Sequence, residues 1–221
     1  MRKVAWYSSL ITLTAALTGC AGTTSVSSPD RSAQATTATV SASASIPATS
    51  AIGTAATGPL GVLPVPAGAT PWTTNTNMPL SMDAYIQGFY VKSAWAEEEG
   101  LYTRRGFVSG ELEGWINVDG SQQQIAIARF ATAEGAISLF DGLTTTFRNR
   151  PKPATMVTYA AVGGVGWTNP TLDADGNTRT EIAVRLGDMV IDVAEYEAVT
   201  PDAAAAEALL RKQYDSLHHG T

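Results

Sequence analysis

Two tight turns, Asp119-Gly120 and Gly187-Asp188, constrain this chain more than any other feature, because each lies between stretches where apolar and polar residues alternate. Such dipeptides close antiparallel hairpins, since glycine or aspartate adopts the backbone conformations that match the twist of the flanking strands. At the second turn, pairing Leu186 with Met189 sets Val184 opposite Ile191 and Ile182 opposite Val193. Six apolar side chains then share one face. A one-residue slip would move one strand's set to the other side, so the register is strongly specified. The reverse face carries Glu181, Ala183, Arg185, Val190, Asp192 and Ala194, with Tyr196 further along.

The first turn, read as a two-residue loop, pairs Val118 with Ser121. One face then holds Val108, Leu112, Ile116, Val118, Ile125 and Ile127, and the other Glu111, Glu113, Trp115, Gln122, Gln124 and Phe130. In this register Arg129 lies opposite Gly110, whose missing side chain leaves room for the guanidinium, with a structural ion pair as its simplest role.

Helices fall between and around the hairpins. Ser81 caps a segment with Met82, Tyr85, Ile86 and Phe89 at helical spacing, and Thr132 caps one with Ala136, Ile137, Phe140, Leu143 and Phe147, stopped near Pro151. Thr200-Pro201-Asp202 opens a last helix whose apolar stripe is Ala206, Leu210, Tyr214 and Leu217. The runs 155–161 and 165–172 read as strands, while Glu97-Glu98-Glu99 and Arg104-Arg105 read as a solvated charged surface. The expected fold is α+β: a mostly antiparallel sheet of about five to six strands with two or three packed helices.

The first 66 residues have another character. Arg2 and Lys3 precede an apolar stretch too short for a comfortable membrane span, which needs roughly 20 residues. It ends in Leu17-Thr18-Gly19-Cys20, which holds the chain's only cysteine. These four residues resemble the lipobox of bacterial lipoproteins. The resemblance implies a signal peptide over 1–19, a diacylglycerol thioether on Cys20 and attachment to the extracytoplasmic face of the cell membrane. The stretch 20–66 is rich in Ser, Thr, Ala, Gly and Pro and too poor in apolar bulk to fold, so it is expected to be a disordered tether. A single folded domain is expected over 67–217, with 218–221 as a tail.

Element order, the Val65-Pro66-Ala67-Gly68 entry and the Trp72 that follows resemble the PsbP-type fold, which implies an α/β/α sandwich. The lipobox, the tether and segments such as Gly187-Asp188-Met189-Val190-Ile191-Asp192-Val193 resemble actinomycete surface lipoproteins. Neither likeness implies a catalytic motif, and the PsbP-type group inclines the expectation toward binding or assembly subunits.

Chemistry-bearing patterns are sparse. The formal net charge is −6, and losing Arg2 and Lys3 with a signal peptide makes it more negative, which excludes a partner read through nucleic-acid phosphates. Asp173, Asp175 and Asn177 alternate as in a calcium loop, but Gly176 is misplaced and Val184 stands where the closing carboxylate belongs, so no metal is expected. Both histidines, His218 and His219, are near the C-terminus, and no nucleophile elbow or phosphate loop occurs, so no catalytic residue and no cofactor are assigned. The candidate binding residues are Trp115, Phe130, Arg129, Arg185, Asp192 and Tyr196, aromatics and charges suited to an amphiphilic ligand or a protein partner. A non-enzymatic binding or accessory lipoprotein is thus the leading expectation. The rivals are a cell-wall hydrolase or transferase using paired carboxylates among Glu111, Glu113, Glu181 and Asp192, and a lipid or glycolipid carrier.

Overall fold

The computed structural model of the protein describes residues 59–72 and 78–218. The lipobox, Cys20, most of the tether and His219 lie outside the described residues. The strands are β1 (Thr70–Pro71), β2 (Phe107–Ile116), β3 (Gln122–Phe130), β4 (Thr155–Tyr159), β5 (Gly164–Asn169), β6 (Thr178–Leu186) and β7 (Met189–Glu197). They form one sheet in the order β1-β2-β3-β7-β6-β5-β4, with every neighbour antiparallel. The helices are α1 (Met82–Phe89), α2 (Trp95–Arg105), α3 (Ala133–Arg148) and α4 (Ala203–His218). The α+β class and the antiparallel hairpins are as expected, with seven strands and four α-helices among the described residues rather than the smaller numbers.

The Gly187-Asp188 hairpin has the expected register, Leu186 opposite Met189, Val184 opposite Ile191 and Ile182 opposite Val193. The Asp119-Gly120 hairpin does not. Asn117 and Ser121 close a three-residue loop, with Asn117 N–H donating to the Ser121 carbonyl at 2.8 Å and Gly120 N–H to the Asn117 carbonyl at 3.0 Å. Gly120 takes φ +92°, the left-handed conformation that ends such a loop. The Asp119 carboxylate holds the loop by accepting from Ser121 N–H at 3.0 Å and from its hydroxyl at 2.8 Å.

One extra loop residue moves every partner by one. Glu111 faces Ile127, Glu113 faces Ile125, Trp115 faces Gln123, and Gly110 faces Ala128 rather than Arg129. Two glutamates therefore lie on the apolar face with Ile125 and Ile127. The space over Gly110 is filled by the Tyr85 ring of α1, so near that a Cβ there would lie 2.2 Å from a ring carbon.

Both faces are covered. On one, Trp115, Ile125, Ile127, Ile182, Val184, Ile191 and Val193 pack against Ala206, Leu209, Leu210 and Leu217 of α4 and against Leu60 and Val62. Residues 59–66, whose composition places them in the tether, thus include a docked strap, with Leu60 and Val62 in the core. On the other face, Leu112, Ala126, Ala128, Phe130 and Val190 pack against α1, α2 and α3. Ser81 and Thr132 cap their helices as expected, accepting from Ala84 N–H and Gly135 N–H. The last helix is capped by Asp202, which accepts from Ala205 N–H at 2.9 Å. The charged run 95–105 is itself α2, and Glu98 is buried rather than solvated, its carboxyl pushed up to about 7 by desolvation and helped up by Glu97 against the pull of Arg105.

Candidate functional site

The six expected binding residues separate into four places. Phe130 is core, stacked on Tyr102 at 6.0 Å and edge-on to Phe107. Arg129 and Arg185 sit at the Gly187-Asp188 end of the sheet. There Arg129 Nε lies 4.0 Å from Asp188, and the exposed Arg185 donates to the Gly187 carbonyl at 3.0 Å. Both side chains serve the turn. Asp192 and Tyr196 belong to a buried cluster on the face of the three helices, and Trp115 lies on the opposite face.

The Asp192 cluster arises because alternate residues of three adjacent strands share a face. Trp167 of β5 stands opposite Glu181 of β6, Arg179 of β6 opposite Tyr196 of β7, and Asp192 diagonal to Glu181. The Arg150 guanidinium lies 4.3 Å over the Trp167 ring, and Arg179 lies 5.7 Å from that ring and 5.1 Å from Tyr196. Trp72 meets Tyr196 edge-on at 6.4 Å, and its indole sits over Gly114, where a Cβ would lie 2.0 Å from Nε1. Rings and guanidiniums thus alternate across the sheet in a cation-π ladder.

Two acids lie beneath it. Glu181 pairs with Arg179 at 2.5 Å and keeps that guanidinium charged, its pKa raised despite the desolvation that opposes it. Desolvation, then the neighbouring Glu181 charge, holds the Asp192 carboxyl well above the usual carboxylate range, with Arg179 opposing. The Asp192 carboxyl also hydrogen-bonds to Glu181 on the neighbouring strand. Glycoside hydrolysis needs two carboxyls about 5 to 9.5 Å apart across a substrate, and a touching pair leaves no room for one.

Glu111 is occupied differently. Its carboxylate accepts from Leu60 N–H at 2.5 Å and Val62 N–H at 3.0 Å, one oxygen for each strap amide. From α4, Gln213 completes the stitching: its Oε1 accepts from Leu63 N–H at 2.8 Å and its Nε2 donates to the Gly61 carbonyl at 3.0 Å. The strap is therefore held through side chains from the sheet below and the helix beside it. Glu113 is fully buried against the same core, where no substrate reaches it.

Beside the strap is a concavity of about 310 Å³. Leu63, Pro64 and Pro66 form one wall and Ala205, Ala208, Leu209 and Lys212 of α4 the other, with Trp115 and Gln123 among the lining residues. Trp115 Nε1 donates to Gln123 Oε1 and Asn117 Oδ1, both at 3.1 Å, so the indole is locked. Gln123 also hydrogen-bonds Glu195, its cross-strand partner, whose carboxyl is pushed up to about 8 by burial, the Gln123 bond opposing. Prolines leave the strap with few donors and two of the α4 residues are alanines, so the walls are mostly apolar, with the Lys212 ammonium available to a negative group.

Of the sequence-derived residues, Trp115 alone lines this concavity. Gln123, Lys212 and the strap were missed. Placing Gln123 beside Trp115 required the true loop length, and nothing in a Pro-Val-Pro run shows that it docks. Arg150, Trp167 and Arg179 were missed in the cluster, although Arg179 and Glu181 do show the two-residue spacing of a shared strand face.

The aspartate loop is an ordinary turn. Asp173 Oδ1 accepts from Asp175 N–H at 2.9 Å and from Asn177 N–H at 3.0 Å, with Gly176 in the left-handed region. Among the described residues no group of three His, Cys, Asp or Glu is placed to hold a metal, and no helix is long and apolar enough to cross a membrane.

No family model matches the sequence, and no curated protein matches it. The chain is similar in structure to the extracellular domain of PknH from Mycobacterium tuberculosis, a crystal structure. That likeness has a TM-score of 0.47 at 13% identity, covering 69% of this chain and 86% of that one.

Proposed function

We propose that this protein is a lipid-anchored extracytoplasmic binding module that receives the apolar end of an amphiphilic ligand, or an apolar side chain of a partner, in the concavity beside Trp115. The observation that carries the reading is that pocket of about 310 Å³ with a fixed indole, apolar walls and one cation, Lys212. Apolar walls supply affinity and the few polar groups fix orientation, the usual division in small-molecule sites. Two observations weigh against the enzymatic rival: Glu181 and Asp192 hydrogen-bond directly to each other, and Glu111 is spent on two backbone amides. A carrier enclosing a whole lipid would need a larger chamber between sheet and helices, so a bound acyl or aryl terminus suits the volume better.

The anchoring part of the proposal rests on Leu17-Thr18-Gly19-Cys20 and the tract that follows. Cys20→Ala is expected to release the protein from membranes or leave its signal uncut, and unchanged processing with membrane retention would overturn it. The binding part is tested by native mass spectrometry of the protein taken from its own membranes, beside an Ala208→Trp variant that fills the concavity. A co-purifying mass lost in the variant supports the reading. Equal ligand in both, none in either, or turnover abolished by Asp192→Asn would overturn it.

A further inference from the structure

Within the described residues, β4 ends the sheet and pairs only with β5. A strand in that position presents a row of backbone N–H and C=O groups to whatever approaches. Proteins ordinarily protect such an edge with charge, proline or a bulge. This edge has none of these within Thr155–Tyr159, whose register to β5 is unbroken. Pro151, Lys152 and Pro153 precede the strand rather than interrupt it.

From 153 to 172 the chain contains no charged residue, although its net charge is −6. The two outermost strands are therefore uncharged on a protein that repels its own copies elsewhere. Thr155, Met156 and Thr158 are exposed, Met156 at 37%.

We propose that β4 is the edge through which two copies of this chain pair, antiparallel, into one continuous sheet. An antiparallel register centred on Val157 is its own partner under two-fold symmetry, as an isologous contact requires. It sets Val157 opposite Val157, Met156 opposite Thr158, and Thr155 opposite Tyr159. All are β-branched, aromatic or flexible apolar pairs, with no like charges opposed. The two-fold axis stands perpendicular to the sheet, so both copies keep α4 and the strap on the same side. Both chains then enter their domains from one side, as two proteins held in one membrane need to. Only that last clause rests on the proposed anchor.

The test is thiol cross-linking in membranes carrying the full chain. Val157→Cys places two thiols across the axis, and Ile137→Cys, exposed on α3, is the collision control. The unaltered chain has Cys20 as its only thiol, so cross-linking of that chain would report a failure of the anchor reading, separately from this one. Oxidation of V157C is expected to give a species of about twice the mass of the membrane-borne monomer, forming roughly tenfold faster than with I137C. Adding Thr158→Lys, an exposed change that leaves the melting temperature in place, is expected to bring the rate down to that of the control. Cross-linking of V157C no faster than I137C, or unaffected by T158K, would overturn the proposal.

Discussion

Glu111→Ala is expected to free the strap without unfolding the domain. The substitution removes both acceptors of the Leu60 and Val62 amides, at 2.5 and 3.0 Å, and these amides lie in a buried region. Each bond joins an amide to a buried carboxyl oxygen, so the pair contributes about 1–3 kcal/mol. If the strap stayed in place, two buried N–H groups would go without partners. If it leaves, they find water, and the protein gives up the burial of Leu60 and Val62, about 1.5–3 kcal/mol each. The same release restores about 1–2 kcal/mol of backbone entropy for every residue let go, which offsets much of that loss. Release is the easier course, and the drop in global stability should stop at about 2–4 kcal/mol. Hydrogen exchange read by mass spectrometry is the assay: amides 60 and 62 should lose protection while β3 and β7 keep theirs. Gln213→Ala should produce the same local release. The double variant should cost little more than the worse single one, because a strap already detached has nothing left for the second group to hold. Retained protection at 60 and 62 in E111A, or strictly additive losses, would refute the reasoning.

Three further outcomes follow from packing and charge. Gly110→Ala drives a methyl into the Tyr85 ring and is expected to cost about 2–3 kcal/mol in denaturant melts, partly recovered by Tyr85→Ala in the same chain; no loss would contradict the ring's position. Asp192→Asn should change stability by less than about 1 kcal/mol, since desolvation and the neighbouring Glu181 raise the Asp192 carboxyl well above its ordinary range. Glu181→Gln should cost about 3–5 kcal/mol by leaving the buried Arg179 without its counter-charge, and equal losses in the two variants would contradict this division of roles. Glu98 and Glu195, raised from 4.5 to about 7 and about 8, bind protons more tightly folded than unfolded. Their contribution is complete below pH 4.5 and fades as pH rises through 7 and 8, by about 1–2 kcal/mol each after screening. Urea midpoints from pH 5 to 9 check this, and a midpoint rising over that span in the wild type would count against both assignments.

How much was legible varied with how far each signal reaches along the chain. The Gly187-Asp188 hairpin and the caps Ser81 and Thr132 depend on contacts a few residues apart, and all appear as read. The Asp119-Gly120 hairpin was misread by one residue because two- and three-residue loops share that dipeptide. The hydrogen bonding of Asn117, Asp119 and Ser121 decides between them. That single step moved Glu111 and Glu113 onto the apolar face and removed Arg129 from Gly110.

By itself, then, the sequence determined an antiparallel α+β framework, an acidic chain with a single cysteine, and the absence of a recognisable catalytic set, because periodicity, composition and motif spacing are properties of a linear string. Which side of the sheet the side chains of the Asp119-Gly120 hairpin occupy was decided by the tertiary structure alone. So were the docking of a Pro-rich strap by Glu111 and Gln213, more than 100 residues apart, and the contact of two acids on neighbouring strands. Desolvation is the reason: a glutamate in water is a charged surface group, and the same residue under a strap is a clamp for two amides, and only folding decides how much water each one keeps.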